Sequence, residues 1–140
     1  FTSGTTGRSK AVPLTWDNLC GSAEVSNASL NRRGEGLWQA ALPLYHVGGL
    51  QIVVRSFLNA NPFILYERFD ARLVLADAAR RGATHISVVD KMLQDMLAAP
   101  NADQLRRYVC ILLGGGPLSA QTLGGALTAR ARVYASYGMT

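Results

Sequence analysis

The 140-residue chain is 49% hydrophobic and 16% charged, which excludes a disordered polymer and suffices for the core of one domain. Its apolar runs are far too short to span a bilayer, and its opening residues do not read as a signal peptide. The net charge of +5 comes largely from arginines scattered in pairs (Arg32-Arg33, Arg80-Arg81, Arg106-Arg107) near expected helix ends, which argues against a nucleic-acid surface and leaves polyanionic small ligands open.

The first stretch, Phe1-Thr2-Ser3-Gly4-Thr5-Thr6-Gly7-Arg8-Ser9-Lys10, crowds hydroxyls, glycines and a lysine together. Burial would leave each hydroxyl in need of a partner. The composition suits a loop that closes over phosphate: glycines admit backbone N–H groups to an anion, hydroxyls donate, and lysine brings a point charge. The spacing is not G-x-x-x-x-G-K-[ST], because Lys10 is separated from Gly7 and is followed by Ala11. A flexible Gly/Ser/Thr linker is the alternative, although the stretch runs directly into Ala11-Val12-Pro13-Leu14.

Those four residues predict a short strand paired back near Phe1. Thr15 then predicts the N-cap of a helix from Trp16 to Leu30. A turn over 31–36 leads to a strand at 37–42 that ends at Pro43. A helix follows from Gly48 to Leu58, then a strand from Phe63 to Tyr66. Asp70 caps the next helix, whose stripe of Leu73, Val74, Ala76, Ala78 and Ala79 ends at Gly82. Thr84 to Val89 and Val109 to Leu113 read as buried strands flanking a helix over 91–97. Ser119 caps a helix to Ala129, and a last strand covers 132–135. Helix and strand alternate from Gly48 onward, so the fold class is α/β: one segment with a largely parallel sheet covered by helices.

In such sheets ligands sit beyond the C-terminal strand ends. Three clusters fall there: Pro43-Leu44-Tyr45-His46-Val47-Gly48-Gly49, Gly114-Gly115-Gly116-Pro117, and Ser136-Tyr137-Gly138-Met139-Thr140. The three glycines would admit a flat ligand close to the main chain, or serve only as a strand-to-helix turn. His46, taken alone, reads more readily as a structural residue than as a catalyst. His85 has no polar cluster nearby in sequence and reads as structural. Cys20 and Cys110 lack Cys or His neighbours at metal spacing, so they read as buried thiols of a reducing cytoplasm, and no metal site is expected.

Thr-Ser-Gly-Thr-Thr-Gly-x-x-Lys, Leu-Leu-Gly-Gly-Gly-Pro and Ser-Tyr-Gly-Met-Thr, in that order, resemble the signatures of the adenylate-forming (AMP-binding) enzymes: acyl- and aryl-CoA ligases, luciferases and peptide-synthetase adenylation domains. Pro-Leu-x-His-x-x-Gly and Thr-His-Ile-Ser-Val-Val bring the likeness closest to the 2-succinylbenzoate–CoA ligases of menaquinone synthesis. The chain departs from the common pattern at Ser9, where most members have Pro, and at Asp90-Lys91, where many have Pro-Thr.

The resemblance implies ATP, Mg2+ and CoA as ligands and a small carboxylic acid as substrate. The acid would attack the α-phosphorus to give an acyl-adenylate, and CoA would then displace AMP. Thr2, Ser3, Gly4, Thr5, Thr6, Gly7 and Lys10 would hold the β- and γ-phosphates. Gly114, Gly115, Gly116 and Pro117 would lie along the purine, with Ser136, Tyr137, Gly138 and Met139 opposite and Tyr137 stacked on the ring. Thr140 would meet the α-phosphate. His46 would line the acyl pocket and gate the pantetheine channel, with Gly48, Gly49 and Ser87 beside it. Lys10, His46 and Thr140 are thus the candidate catalytic residues.

The chain lacks the Mg2+-holding Glu, the ribose-binding Asp and the late catalytic Lys of this family. It is therefore expected to be part of an AMP-binding domain, without the C-terminal lid and inactive alone. Missing upstream strands would leave sheet edges open to homodimerisation. Two alternatives remain: another acyl, aryl or amino-acid adenylating enzyme, and a nucleotide-binding module without turnover.

Overall fold

Thr15 begins the first helix by a reciprocal cap. Its Oγ1 accepts from the Asn18 amide at 3.2 Å, while Asn18 Oδ1 accepts from the Thr15 amide at 3.1 Å. The structure, a computed structural model, describes residues 11–30 and 36–138. The 1–10 loop, most of the turn over 31–36, and Met139 and Thr140 lie outside the described residues. Ala11 to Leu14 form exposed coil rather than the expected strand. Pro13 has no amide to give a ladder, and the expected partner near Phe1 is outside the described residues.

The elements in chain order are α1 (Trp16–Leu30), β1 (Trp38–Ala40), α2 (Val47–Leu58), β2 (Phe63–Leu65), α3 (Ala71–Arg81), β3 (His85–Val88), α4 (Asp90–Ala98), a 3-10 turn (Ala102–Arg107), β4 (Cys110–Leu113), α5 (Ala120–Thr128) and β5 (Val133–Ala135). The helix boundaries follow local chemistry. Asp70 Oδ1 accepts from the Leu73 amide at 2.9 Å, and Ser119 Oγ accepts from the Thr122 amide at 3.1 Å. Gly82 ends α3 in the left-handed region at φ 71°.

Among the described residues all strand pairings are parallel, in the order β2-β1-β3-β4-β5. The register sets Trp38 opposite His85 and His85 opposite Cys110, so these three share one face with Ala40 and Ser87. Helices α1 and α2 cover that face, where Trp38, Ala40 and Ile52 form a small core. The opposite face packs Ile86, Val88, Ile111 and Leu113 against Val74, Leu75 and Ala78 of α3 and Met92, Leu93 and Met96 of α4. Burial of this set is the main stabilising term, at about 1.5–3 kcal/mol for each large side chain.

Buried Gln39 joins the layers on this second face. Its Nε2 donates to the Val74 carbonyl (2.8 Å) and to Tyr66 Oη (2.7 Å), and its Oε1 accepts from Tyr108 Oη at 2.5 Å. Tyr66 Oη in turn donates to Asp77 Oδ2 at 3.0 Å.

From β1 the chain turns outward through α2 to β2, then returns past β1 through α3 to β3. The C-terminal ends of β1 and β3 therefore flank the switch point, with α2 leaving to one face and α4 to the other.

Candidate functional site: the carboxyl edge of the sheet

The segment leaving β1 is built by close backbone approach. A Cβ on Gly49 would collide with the carbonyl oxygens of Leu42, at 2.6 Å, and of Pro43, so only glycine lets α2 start this near the strand exit. The His46 amide donates to the Pro43 carbonyl at 3.1 Å, and His46 is the N-cap of α2, its Nδ1 accepting from the Gly48 amide at 3.3 Å. With Nδ1 an acceptor, a neutral ring carries its proton on Nε2. His46 and the adjoining Tyr45 are both exposed, Tyr45 at 92%. His46 thus caps α2 through Nδ1 on an otherwise exposed ring.

Ser87 lies on β3, buried, on the face beneath α2. Sequence reasoning missed the residue that meets it. Arg55 of α2 is only 4% exposed, with its guanidinium carbon 4.4 Å from the Trp38 ring centroid. Its Nη2 donates to Ser87 Oγ at 3.3 Å, and its Nε has no partner. Among the described residues no carboxylate forms a salt bridge with it. Burial pulls its pKa down to about 10, and the nearby Cys110 opposes the shift. Cys110 itself is buried and pushed up to about 12, as burial disfavours the thiolate. A lone arginine inside the apolar run of α2 was the available signal.

His85 stands apart from this edge. Its Nε2 bonds the Leu30 carbonyl at 3.2 Å, its Nδ1 meets Thr84 Oγ1 at 2.7 Å, and its ring lies 4.9 Å from that of Trp38. Both nitrogens are engaged, which fits its structural role. The expectation that it lacks polar surroundings is corrected, because Arg55 is close enough to act on it electrostatically.

The glycine loop extends the ladder on both sides. The Gly114 amide donates to the Val88 carbonyl at 3.1 Å, and the Ser136 amide to the Leu113 carbonyl at 2.8 Å. A Cβ on Gly114 would sit 2.8 Å from Ser136 Oγ, and Gly115 has a φ of 79°. Gly115, Gly116 and Pro117 are exposed, and on the neighbouring strand exit Tyr137 is 91% exposed. Bare backbone beside an unpacked aromatic ring is a surface that a flat heterocycle fits. The structure brings His46, Gly48, Gly49, Ser87, Gly114 to Pro117 and Ser136 to Gly138 to one edge of the sheet. Thr2 to Gly7, Lys10, Met139 and Thr140 lie outside the described residues. Among the described residues, no group of three or more His, Cys, Asp or Glu side chains could hold a metal ion.

A parallel sheet with a glycine loop and an exposed tyrosine along its carboxyl edge is the frame of a nucleotide-binding α/β enzyme. The family model for the AMP-binding enzymes matches residues 1–140, and the chain belongs to that family. It is 38% identical over 141 residues to a 2-succinylbenzoate–CoA ligase of Bacillus cereus, covering 100% of this chain and 29% of that protein. The chain thus spans less than a third of the length of the curated relatives it matches. Among solved structures, the O-succinylbenzoate coenzyme A synthetase (MenE) of Bacillus subtilis in complex with ATP and magnesium ion superposes with a TM-score of 0.85 at 36% identity, over 99% of this chain and 29% of that one. ATP-bound MatB from Rhodopseudomonas palustris gives a TM-score of 0.84 at 29% identity, over 99% and 28%.

Proposed function

We propose that the protein containing this chain uses ATP to activate a carboxylic acid and transfers it to CoA, and that the acid is 2-succinylbenzoate. The observation that carries this reading is Arg55: a buried cation with no acidic partner among the described residues, beside Ser87 at the switch point. A dicarboxylic acid supplies one carboxylate to neutralise that charge and a second to react. The relatives named for 2-succinylbenzoate support the same substrate. An amino acid fits less well. Asp90, the local candidate to hold an amine, is already engaged by the Ser119 amide and Gln94.

The chain's own groups act by positioning and by donating hydrogen bonds where charge builds. The purine rests between the Gly114–Pro117 backbone and Tyr137. Ser3 to Lys10 hold the β- and γ-phosphates and the departing pyrophosphate, and Thr140 donates to the α-phosphate. Arg55 and Ser87 fix the acid's distal carboxylate, and His46 Nε2–H faces the edge where the acyl group and the thiol meet. Mg2+ would offset phosphate charge, but the described residues contain no cluster to hold it. ATP and CoA place the reaction in the cytoplasm, and among the described residues no helix is long and apolar enough to cross a membrane. Self-association through edge strand β2, where Phe63 and Leu65 are exposed, belongs to the same reading.

The test is acid-dependent ATP–pyrophosphate exchange by the full-length protein, with 2-succinylbenzoate beside benzoate, a fatty acid and amino acids. Exchange with 2-succinylbenzoate alone is expected. Exchange with another acid instead would keep the mechanism and refute the substrate. ATP binding without exchange would leave a nucleotide-binding module.

A further inference from the structure

Val89 follows β3 and is the N-cap of α4, yet it offers no side-chain cap. The next residue, Asp90, reaches across to another helix. Its Oδ1 accepts from the Ser119 amide at 3.3 Å, and its Oδ2 accepts from Gln94 Nε2 at 2.7 Å. Gln94 Nε2 also reaches Thr122 Oγ1 at 3.2 Å, and Thr122 Oγ1 shares a proton with Ser119 Oγ at 2.7 Å. These four side chains brace the first turn of α4 against the first turn of α5. A carboxylate between two helix N-termini is favoured there by both dipoles. The Thr122 hydroxyl first, with the Ser119 amide, Gln94 and the Ser119 hydroxyl adding to it, together outweigh burial and hold the Asp90 carboxyl below its ordinary range, so it is a charged acceptor at neutral pH.

The brace closes the far end of the glycine loop. The near end is tied by the Gly114 amide to Val88 and by Leu113 to Ser136. In the middle, a Cβ at Gly115 would approach Val89 Cγ1 to 3.3 Å, so the loop rests against the residue just before Asp90. At the far end the Ser119 amide donates to Asp90, and Gln94 of α4 reaches Thr122 within the first turn of α5. We infer that Asp90 is a positioning residue for nucleotide binding, setting the height of the Gly114–Leu118 loop above the sheet and tying it to the end of β3. The inference rests on the nucleotide reading proposed above. Asp90 touches no ligand in this scheme and acts through the Ser119 amide.

The full-length protein and its Asp90→Ala and Asp90→Asn variants are compared by calorimetric AMP titration, and by the KM for ATP against the KM for the acid. Asp90→Ala is expected to weaken AMP binding at least fivefold and raise the KM for ATP in step, with the KM for the acid within twofold. Asp90→Asn keeps an acceptor for the Ser119 amide and is expected to recover most of the affinity. Should Asp90→Ala not fold, Gln94→Leu, which removes one arm of the brace, is expected to weaken AMP binding about twofold or more. AMP affinity within twofold of wild type in every folded variant overturns the inference and leaves Asp90 a helix-start residue only. Equal rises in both KM values, or no rescue by asparagine, overturn it as well. A wild-type protein that binds no AMP overturns the nucleotide reading and this inference together.

Discussion

Gly49 and Gly124 show how one residue type serves opposite ends. At Gly49 an added methyl would meet the Leu42 carbonyl at 2.6 Å as well as that of Pro43, and backbone cannot swing aside as a side chain can. Gly49→Ala is therefore expected to destabilise by about 1–3 kcal/mol and to shift His46 with the start of α2. At Gly124, exposed within α5, nothing lies within 4 Å of the added carbon. Gly124→Ala is expected to stabilise by about 1 kcal/mol through helix propensity alone. Thermal unfolding of the pair checks both signs. Arg55 admits a sharper test, because its two roles predict opposite results. Arg55→Met removes a buried charge without an acidic partner, so the melting temperature is expected to hold or rise. The same change is expected to raise the KM for 2-succinylbenzoate roughly 10- to 100-fold, from about 1.5–3 kcal/mol of charged hydrogen bonding. The KM for ATP, which Arg55 does not touch in this reading, should change little. A fall in stability with an unchanged KM would make Arg55 a packing residue.

Among the elements, the sequence marks starts and stops better than partners. Thr15, Asp70 and Ser119 are read correctly as helix caps, and Gly82 as a stop, because each acts through bonds within a few residues. The buried strands are legible as apolar runs. Their order is not, since β1 pairs with both β2 and β3 through contacts that no local period encodes. Ala11 to Leu14 form no strand with any other described residue, and the partner expected near Phe1 lies outside the described residues. The 3-10 turn at Ala102–Arg107 carries no apolar stripe that sets it apart from a loop. The glycine and tyrosine clusters stand out because their composition is unsuited to a core, whereas Arg55 hides because one charge within an apolar helix leaves the period intact.

Gln39 is likewise invisible in sequence, yet it joins β1 to α3 and to the end of β2. Tyr108→Phe strands Gln39 Oε1 in the core and is expected to cost about 1–3 kcal/mol, and Gln39→Leu a similar amount. The double variant should cost less than the sum of the two, because no polar atom of the pair is then left behind. Denaturant unfolding of the four-member cycle measures the coupling, and strict additivity would mean that the two side chains do not act as a pair.

For the whole molecule, the buried ionisable groups set how the fold responds to acid, and they agree in sign. His85 is held below its ordinary value, first by burial and also by the charge of Arg55, while its bond to the Leu30 carbonyl acts the other way. With Nε2 donating to the Leu30 carbonyl, the neutral imidazole accepts the Thr84 hydroxyl proton at Nδ1, a bond whose direction protonation there would have to reverse. The unfolded chain therefore takes up this proton first as pH falls below about 6.5. Between that point and the lower folded pKa the unfolded state binds more protons, so stability is lost as pH falls and is present in full above it. Asp77 follows the same sign lower down. Burial alone would raise its pKa, but hydrogen bonds from Arg80 and Tyr66 and the charges of Arg80 and Arg81 outweigh that and hold it down. Asp90 is lowered chiefly by the Thr122 hydroxyl. Both carboxylates contribute fully above about pH 4 and lose their contribution below it. The expected curve of unfolding free energy is level between about pH 7 and 8, declines below about 6.5, and steepens below about 4. Above about 8.5 it declines again, as the unfolded thiol of Cys110 ionises before the buried one. Urea midpoints across that range give its shape, and His85→Gln isolates the first step. That variant should be less stable at pH 7.5 yet flatter between pH 6.5 and 5. If its slope there matches the wild-type slope, the proton taken up on unfolding belongs to some group other than His85.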